Sequence, residues 1–124
     1  MSENKHRAAD PVQTSPYSLV NDINQAVTEI PLESIVSRTV YRDPALKAIV
    51  FGFAPGQELS EHTASVPAII QILEGDCEVT LGGDHFDAHP GFWVRMPAKM
   101  PHSLLAKTPV KMLLLMLSDG KDVE

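Results

Sequence analysis

The sequence predicts an all-β fold, an antiparallel sandwich or barrel preceded by one short helix. Short segments rich in Val, Ile and Leu recur at a spacing of about ten residues, which is typical of such folds. All seven glycines follow residue 51, and most lie in the turns between these segments. The 124 residues form a chain of single-domain size, which is long enough to bury a core without disulfides.

The chain begins with a segment that does not share the strand pattern. Its first residues are polar and contain prolines at positions 11 and 16, and we predict a flexible arm there. Leu19, Ile23, Val27 and Ile30 then recur at helical spacing, and Ser15–Pro16 is typical of a helix start. The predicted organisation is an arm over 1–16, a helix over 17–30, a barrel over 31–119 and a tail over 120–124.

The rest of the chain predicts eight strands and one shorter candidate. They are bounded by Pro and Gly, and the Gly82–Gly83 pair is a hairpin signal. The strands are Glu33–Tyr41, Leu46–Ala54, Pro67–Leu73, Cys77–Leu81, His85–Ala88, Phe92–Met96, Ser103–Ala106 and Val110–Leu117, with the shorter candidate at Glu58–His62.

Two of these segments, AIIQIL at 68–73 and MLLLML at 112–117, are apolar on both faces. One face fills the interior, so the other must be covered. A second copy of the chain would cover it, which predicts a homodimer. The alternative is that the N-terminal helix and arm suffice.

Charge and composition exclude several classes of protein. The formal net charge is −6, and no dense basic stripe is present, so we expect no nucleic acid partner. The longest apolar run, Met112–Leu117, is far short of the ~20 residues that a membrane span needs. A single Cys excludes a disulfide framework or a Cys-cluster zinc site, and it fits a reducing cytoplasm.

Two segments carry a specific spacing. PGQELSEHTASVPAIIQILEGD contains Gly56, His62 six residues later and Gly75 thirteen residues after that. PGFWVRMPAKMPHSLLA contains Gly91, then Pro97 and His102. This pair of segments resembles the two motifs of the cupin superfamily, in particular its small single-domain members, and the spacing fits both motifs without gaps. The resemblance implies a double-stranded β-helix, or jelly roll.

The cupin resemblance also implies a metal site, which this sequence only half retains. His62 matches the first His of the first motif, and His102 matches the His of the second. The positions of the second His and of the Glu hold Ala64 and Ala68. The motif Gly after Pro97-x is replaced by Lys99, and the final Asn by Ala106. Gln71 is the nearest polar residue on the same strand, but strict alternation directs it away from the face of Ala68.

With His62 and His102 as the only retained motif ligands, two interpretations of the site remain. Two His alone hold a divalent metal (Fe, Mn, Ni or Zn) only weakly, since catalytic sites usually have three protein ligands. A pocket without a metal is the other interpretation. The remaining His and the Cys are assigned elsewhere: His6 to the arm, His85 and His89 to a hairpin, and Cys77 to core packing. The predicted pocket comprises His62, Ala64, Ala68, His102, Gln71, Trp93, Phe51 and Met112.

Three functions remain open at this stage, because the cupin fold hosts many activities. The first is binding of a small molecule in the barrel interior near His62 and His102. The second is a metal-dependent enzyme of dioxygenase, decarboxylase or isomerase type with an incomplete two-His shell. The third is a regulatory or structural dimer module.

Overall fold

The computed structural model describes residues 16–118. Within this range the chain forms nine strands, numbered β1 to β9, and one short 3-10 helix, Ile23–Ala26. The strands are β1 (Ile35–Arg42), β2 (Leu46–Phe53), β3 (Glu58–His62), β4 (Ala68–Glu74), β5 (Cys77–Leu81), β6 (Asp84–Ala88), β7 (Trp93–Met96), β8 (His102–Ala106) and β9 (Val110–Leu117).

The strands form two antiparallel sheets that face each other. One sheet has the order β1-β2-β9-β4-β7 and the other the order β3-β8-β5-β6. Most neighbouring strands are distant in sequence, as in β2–β9 and β5–β8, which is the topology of a jelly roll. The predicted all-β fold class is therefore confirmed, and each predicted strand has an observed counterpart within two residues at either end.

The core lies between the two sheets. Alternate residues of the strands point inward, as β4 shows, where Ala68, Ile70 and Ile72 are buried and the residues between them are not. The inward side chains form one continuous apolar cluster that includes Phe53, Val79 and other residues of both sheets. A second cluster lies on the outer face of the five-stranded sheet.

Residues 17–30 do not form the predicted helix. They contain only the single 3-10 turn, in which the Asp22 side chain accepts a hydrogen bond from the Asn24 N–H at 3.1 Å. Val27 is already extended, with φ −130°, and Pro31 disfavours helical backbone at Ile30. Isolated helices of this length are marginal in water, so packing on the sheet decides the conformation.

This N-terminal segment covers part of the outer face of the five-stranded sheet. Gly52 allows its close approach, because a Cβ at position 52 would lie 2.8 Å from side-chain carbons of both Val27 and Ile30. Lys111 fixes the segment by donating from Nζ to the Asn24 carbonyl at 3.0 Å. The apolar spacing that suggested a helix instead serves an extended segment that packs on strands.

Among residues 16–118, no helix has the length and apolar character required to cross a membrane.

Candidate functional site

The interior of the sandwich is closed at one end and open at the other. Along β9, the inward residues Val110 and Met112 are 0% and 1% exposed, whereas Leu114 and Met116 are half-buried. Along β5, Cys77 and Val79 are buried and Leu81 is half-buried. Accessibility therefore rises in the same direction on both sheets, and a ligand can reach inward side chains only at this open end.

His102 is the first residue of β8 and faces inward at the open end. Its side chain is on the buried face of the strand, together with Leu104 and Ala106, and it is 7% exposed. Its Nδ1 lies 3.0 Å from the Met100 carbonyl oxygen, which can only accept, so Nδ1 carries the proton. Burial lowers the pKa of His102, so the ring is neutral near pH 7.

His62 faces His102 because β3 contains a bulge. Leu59 pairs with Leu104, and a regular ladder would then place Glu61 opposite His102. One extra residue in β3 shifts the register, so that His62 takes that position. The Nδ1 of His62 in turn donates to the Ser60 carbonyl at 3.0 Å, within the bulged segment.

The two imidazoles form a close pair at the open end. Their ring centroids are 4.2 Å apart, and the ring planes are inclined at 56°. Each Nδ1–H is donated to a backbone carbonyl, so in the neutral ring each Nε2 carries a free lone pair. The pair can therefore accept two hydrogen bonds from a ligand or offer two nitrogen ligands to a metal. One ring is buried and the other is exposed, so the pair is reachable from solvent.

The loop before His102 is bonded both to the loop after His62 and to the β5–β6 turn. The Lys99 N–H donates to the Ala64 carbonyl at 2.7 Å, and the Gly82 N–H donates to the Pro101 carbonyl at 2.9 Å. Lys99 adopts φ +70°, the left-handed region that glycine favours. At this position the cupin motif has Gly, so Lys99 adopts a backbone conformation that glycine tolerates better than a residue with a Cβ.

The other residues of the predicted pocket divide between the two faces. Ala68, Met112 and Phe51 belong to the inner face, where Ala68 and Met112 are 3% and 1% exposed and lie within the packed core. Gln71 and Trp93 are register partners on the outer face, and Trp93 is 56% exposed. The structure thus brings together the histidines and the inner-face residues, and it separates Gln71 and Trp93 from them.

Ala64 lies in the loop after β3, where it is half-buried. The other histidines of the described residues do not join the pair. His85 is on β6, with Nδ1 3.0 Å from the Thr80 hydroxyl, and His89 follows β6 and bonds Asp76 at 2.8 Å. Cys77 is a buried free thiol in the core, as packing would require. His6 lies outside the described residues.

The described side chains near the two histidines do not supply enough ligands for a metal site. In residues 16–118, no group of three or more His, Cys, Asp or Glu side chains is arranged to hold an ion. Ala64 and Ala68 carry no donor atoms, and β3, where the chain offers Glu58 and Glu61, leaves both carboxylates exposed. Two imidazole nitrogens alone fall short of the three protein ligands that catalytic zinc sites and two-His-one-carboxylate iron sites use.

Sequence reasoning missed three contributors to this site. The bulge in β3 and the carbonyls of Ser60 and Met100 are backbone features, which leave no signal in residue type.

A separate groove of about 550 Å³ lies on the outer face of the five-stranded sheet, between the N-terminal segment and residues such as Val40, Tyr41 and Leu113. It is remote from the histidine pair, because its lining strand residues point to the opposite face.

Comparison with known proteins identifies the family. Residues 49–117 match the family model described as a cupin domain. No curated protein sequence matches the chain. Among solved structures, a conserved protein of unknown function from Streptococcus pyogenes is 30% identical, with a TM-score of 0.73 over 87% of this chain and 94% of that one.

Two further structures extend the comparison. A cupin superfamily protein from Desulfitobacterium hafniense is 25% identical, with a TM-score of 0.70 over 74% of this chain and 84% of that one. A DMSP lyase from Ruegeria pomeroyi is 22% identical, with a TM-score of 0.65 over 72% of this chain and 49% of that one, and this likeness extends to the fold alone. The family match covers more than half of the chain and includes both histidines, so this protein belongs to the cupin family.

Proposed function

We propose that this cupin domain binds a small molecule at the open end of its barrel, against His62 and His102. The observation that carries the proposal is the imidazole pair itself, with ring centroids 4.2 Å apart and both Nδ1 atoms bonded to backbone carbonyls, which leaves both Nε2 atoms for a ligand. Polar groups placed in this way within an otherwise apolar interior are typical of ligand pockets.

The surroundings of the pair define what it would accept. Neutral imidazole nitrogens with a free lone pair accept hydrogen bonds, so the ligand should bring O–H or N–H donors. Leu81, Val94 and Met100 are half-buried apolar side chains packed against the core, and they offer contact area to an apolar part of the ligand. Ala64, in the half-buried loop after β3, presents only a methyl group beside the pair.

A thermal-shift screen with a broad set of metabolites tests the proposal. A ligand raises the melting temperature of the wild-type protein in proportion to its binding free energy. We expect that the shift is lost in His62→Ala and His102→Gln and is kept in His85→Ala, which removes an exposed histidine of the β5–β6 hairpin. A screen without a single stabilising compound would refute the proposal, as would a hit that both site variants retain.

A metal-dependent enzyme is the second candidate, and the same Nε2 pair supports it. Because the described residues supply only two ligands, an ion (Fe, Mn, Ni or Zn) would need the substrate or water to complete its shell. Metal analysis of protein purified without a nickel column tests this candidate. Stoichiometric metal that is lost in both His62→Ala and His102→Ala supports it, and metal-free wild-type protein excludes it.

We also propose a homodimer that uses the part of the outer sheet face that the N-terminal segment leaves uncovered. Trp93 is 56% exposed there, beside Gln71 and the half-buried Ile69. Apolar area of this kind on a sheet face is typical of an interface. Light scattering on the wild type and on Trp93→Arg tests the assembly: a wild-type dimer that Trp93→Arg dissociates supports it, and a wild-type monomer argues against both this interface and a purely structural dimer module.

For the compartment, we propose the reducing cytoplasm. The support is the single cysteine of the chain, Cys77, which is a buried thiol with no disulfide partner.

A further inference from the structure

Two rows of side chains border the open end of the barrel, and strand register defines both. In each row, consecutive residues are register partners on neighbouring strands. Because register partners share a face, each row points as a unit into the interior. The rows are Lys47–Met116–Ala68–Met96 on the five-stranded sheet and His62–His102–Leu81–Asp84 on the four-stranded sheet.

Lys47 belongs to the inner face of β2. Phe53 and Phe51, at alternate positions of the same strand, pack in the interior cluster, whereas Ala48 and Val50 pack in the outer one. Continued alternation places Lys47 with the phenylalanines. Lys47 is therefore the polar exception on an inner face that is otherwise apolar along β2.

Lys47 and His62 lie at the same end of the barrel. The chain runs along β2 from Lys47 to Phe53, turns through residues 54–57 and returns along β3 to His62. The start of β2 and the end of β3 therefore both border the open end, on opposite sheets.

The ammonium group of Lys47 has no counter-ion among the described residues. The ion pairs there involve Lys107, Lys111 and His89, and Lys47 is nevertheless half-buried. Burying a charge without a partner is unfavourable.

The other charged groups of this end do not supply the missing counter-ion. Arg42, the register partner of Lys47 on the edge strand, adds a second positive charge. Asp43, the acid nearest to Lys47 in sequence, accepts hydrogen bonds from the Tyr41 hydroxyl and from the backbone of Ala45 and Leu46. The exposed Asp84 lies at the far end of the histidine row, on the sheet opposite Lys47 and three strand spacings, or roughly 14 Å, from His62.

We infer that the ligand of the His62–His102 site is a small carboxylate with an apolar body and a hydroxyl or amino donor. This inference rests on the proposed function. Lys47 supplies the positive charge, and it binds the carboxylate as a compact ammonium donor. The imidazole pair accepts the hydroxyl or amino hydrogens, and the half-buried Met116 contacts the apolar body.

Matched acids and amides test the inference. The probes are mandelate with mandelamide and 2-hydroxyhexanoate with 2-hydroxyhexanamide, titrated into the 15N-labelled protein at pH 7.5 while the His62 and His102 resonances are followed. Each acid should bind about tenfold more tightly than its amide, the ratio that one charge-assisted hydrogen bond provides. Lys47→Met should remove that preference without weakening the amide, and Lys47→Arg should keep it.

Arg95→Met is the control, because it removes a cation from the outer face of the same sheet. It should leave both affinities unchanged, and circular dichroism checks that every variant melts as a folded domain. If acid and amide bind equally at the histidines, or if Lys47→Met retains the preference, the role of Lys47 is refuted and the proposed site stands. If no probe perturbs the histidines, the proposed site and this inference both fail.

Discussion

The imidazoles of His62 and His102 are register partners because β3 is one residue longer than a regular ladder allows. Leu59 pairs with Leu104 and His62 with His102, so three steps along β3 match two along β8. The bulge places an imidazole rather than the Glu61 carboxylate at the open end of the barrel. Bulges re-aim side chains beside functional sites in this way, and here an imidazole nitrogen takes the place of a carboxylate beside His102.

The first prediction concerns the tautomers of this pair. Both rings donate from Nδ1 to a backbone carbonyl, at 3.0 Å to Ser60 and 3.0 Å to Met100. We expect long-range 1H–15N spectra at pH 8 to show protonated Nδ1 and unprotonated Nε2 in both rings. His85 is the control, because its Nδ1 faces the Thr80 hydroxyl, which can donate or accept and so fixes no tautomer. Nε2-protonated rings at 62 and 102 would contradict the proposed acceptor site.

The strands were predictable because their signal is local. Alternation and Pro or Gly boundaries define segments such as Cys77–Leu81 and Val110–Leu117, and the structure keeps these bounds. The conformation of the N-terminal segment was not predictable, because the spacing of apolar residues alone cannot distinguish a helix from an extended chain that packs on a sheet. Its conformation depends on Gly52, some twenty residues further on, which leaves room for Val27 and Ile30.

The site was predictable in part for the same reason. Motif spacing identified His62 and His102, and the structure brings them together. Motif spacing could not identify the bulge in β3, which has no residue-type signature. It also could not identify Lys47, whose inward direction depends on register with Met116. Trp93 is a predicted pocket residue that the structure places on the outer face, where it is the register partner of Gln71.

The second prediction is that Lys99→Gly stabilises the protein. Lys99 holds φ +70° in the loop that carries Met100 and leads to His102. A residue with a Cβ pays about 1 kcal/mol in this region, and glycine pays none of it. Thermal unfolding should therefore show a melting temperature higher by roughly 4 °C. Lys99→Ala keeps a Cβ and should show no such gain; equal stabilisation by both variants would assign the effect to the lost charge.

The third prediction compares two glycines of nearly equal backbone conformation. Gly75 has φ +87°, and a Cβ there would lie 2.0 Å from the Pro109 carbonyl oxygen. Gly56 has φ +84° and no atom within 4 Å of such a Cβ. Gly56→Ala should cost about 1 kcal/mol for backbone strain alone, whereas Gly75→Ala should cost about 3 kcal/mol or more, since backbone must move. Denaturant titration measures both, and similar losses would contradict the steric account.

The fourth prediction is a gain of metal binding in Ala64→His. Position 64 is the second His position of the cupin motif, and a third imidazole there completes the number of protein ligands that catalytic zinc sites use. After incubation with Zn²⁺ and gel filtration, we expect the variant to retain about one ion per chain and the wild type to retain much less. Ala64→His combined with His102→Ala is the control and should lose the ion again. Retention of zinc by that double variant would place the ion elsewhere.

The fifth prediction concerns Cys77 at alkaline pH. Burial raises the pKa of this thiol from its ordinary value of 9.0 to about 11, with a smaller contribution from the neighbouring Asp76 charge. Between these two values the unfolded chain releases the proton and the folded chain keeps it, so the stability that the buried thiol contributes below pH 9 is lost as the pH rises toward 11. The linkage amounts to about 1.4 kcal/mol per pH unit in this window.

Other groups also titrate above pH 9, so Cys77→Ala provides the reference. We expect the free energy of unfolding of the wild type to fall more steeply than that of Cys77→Ala between pH 9 and 10.5, as measured by urea titration. The native thiol should also resist a thiol-specific reagent at pH 8 and react once urea unfolds the chain, because the thiolate is the nucleophile. If the free energies of unfolding of the two proteins changed with pH in parallel, burial would not raise the pKa of the Cys77 thiol.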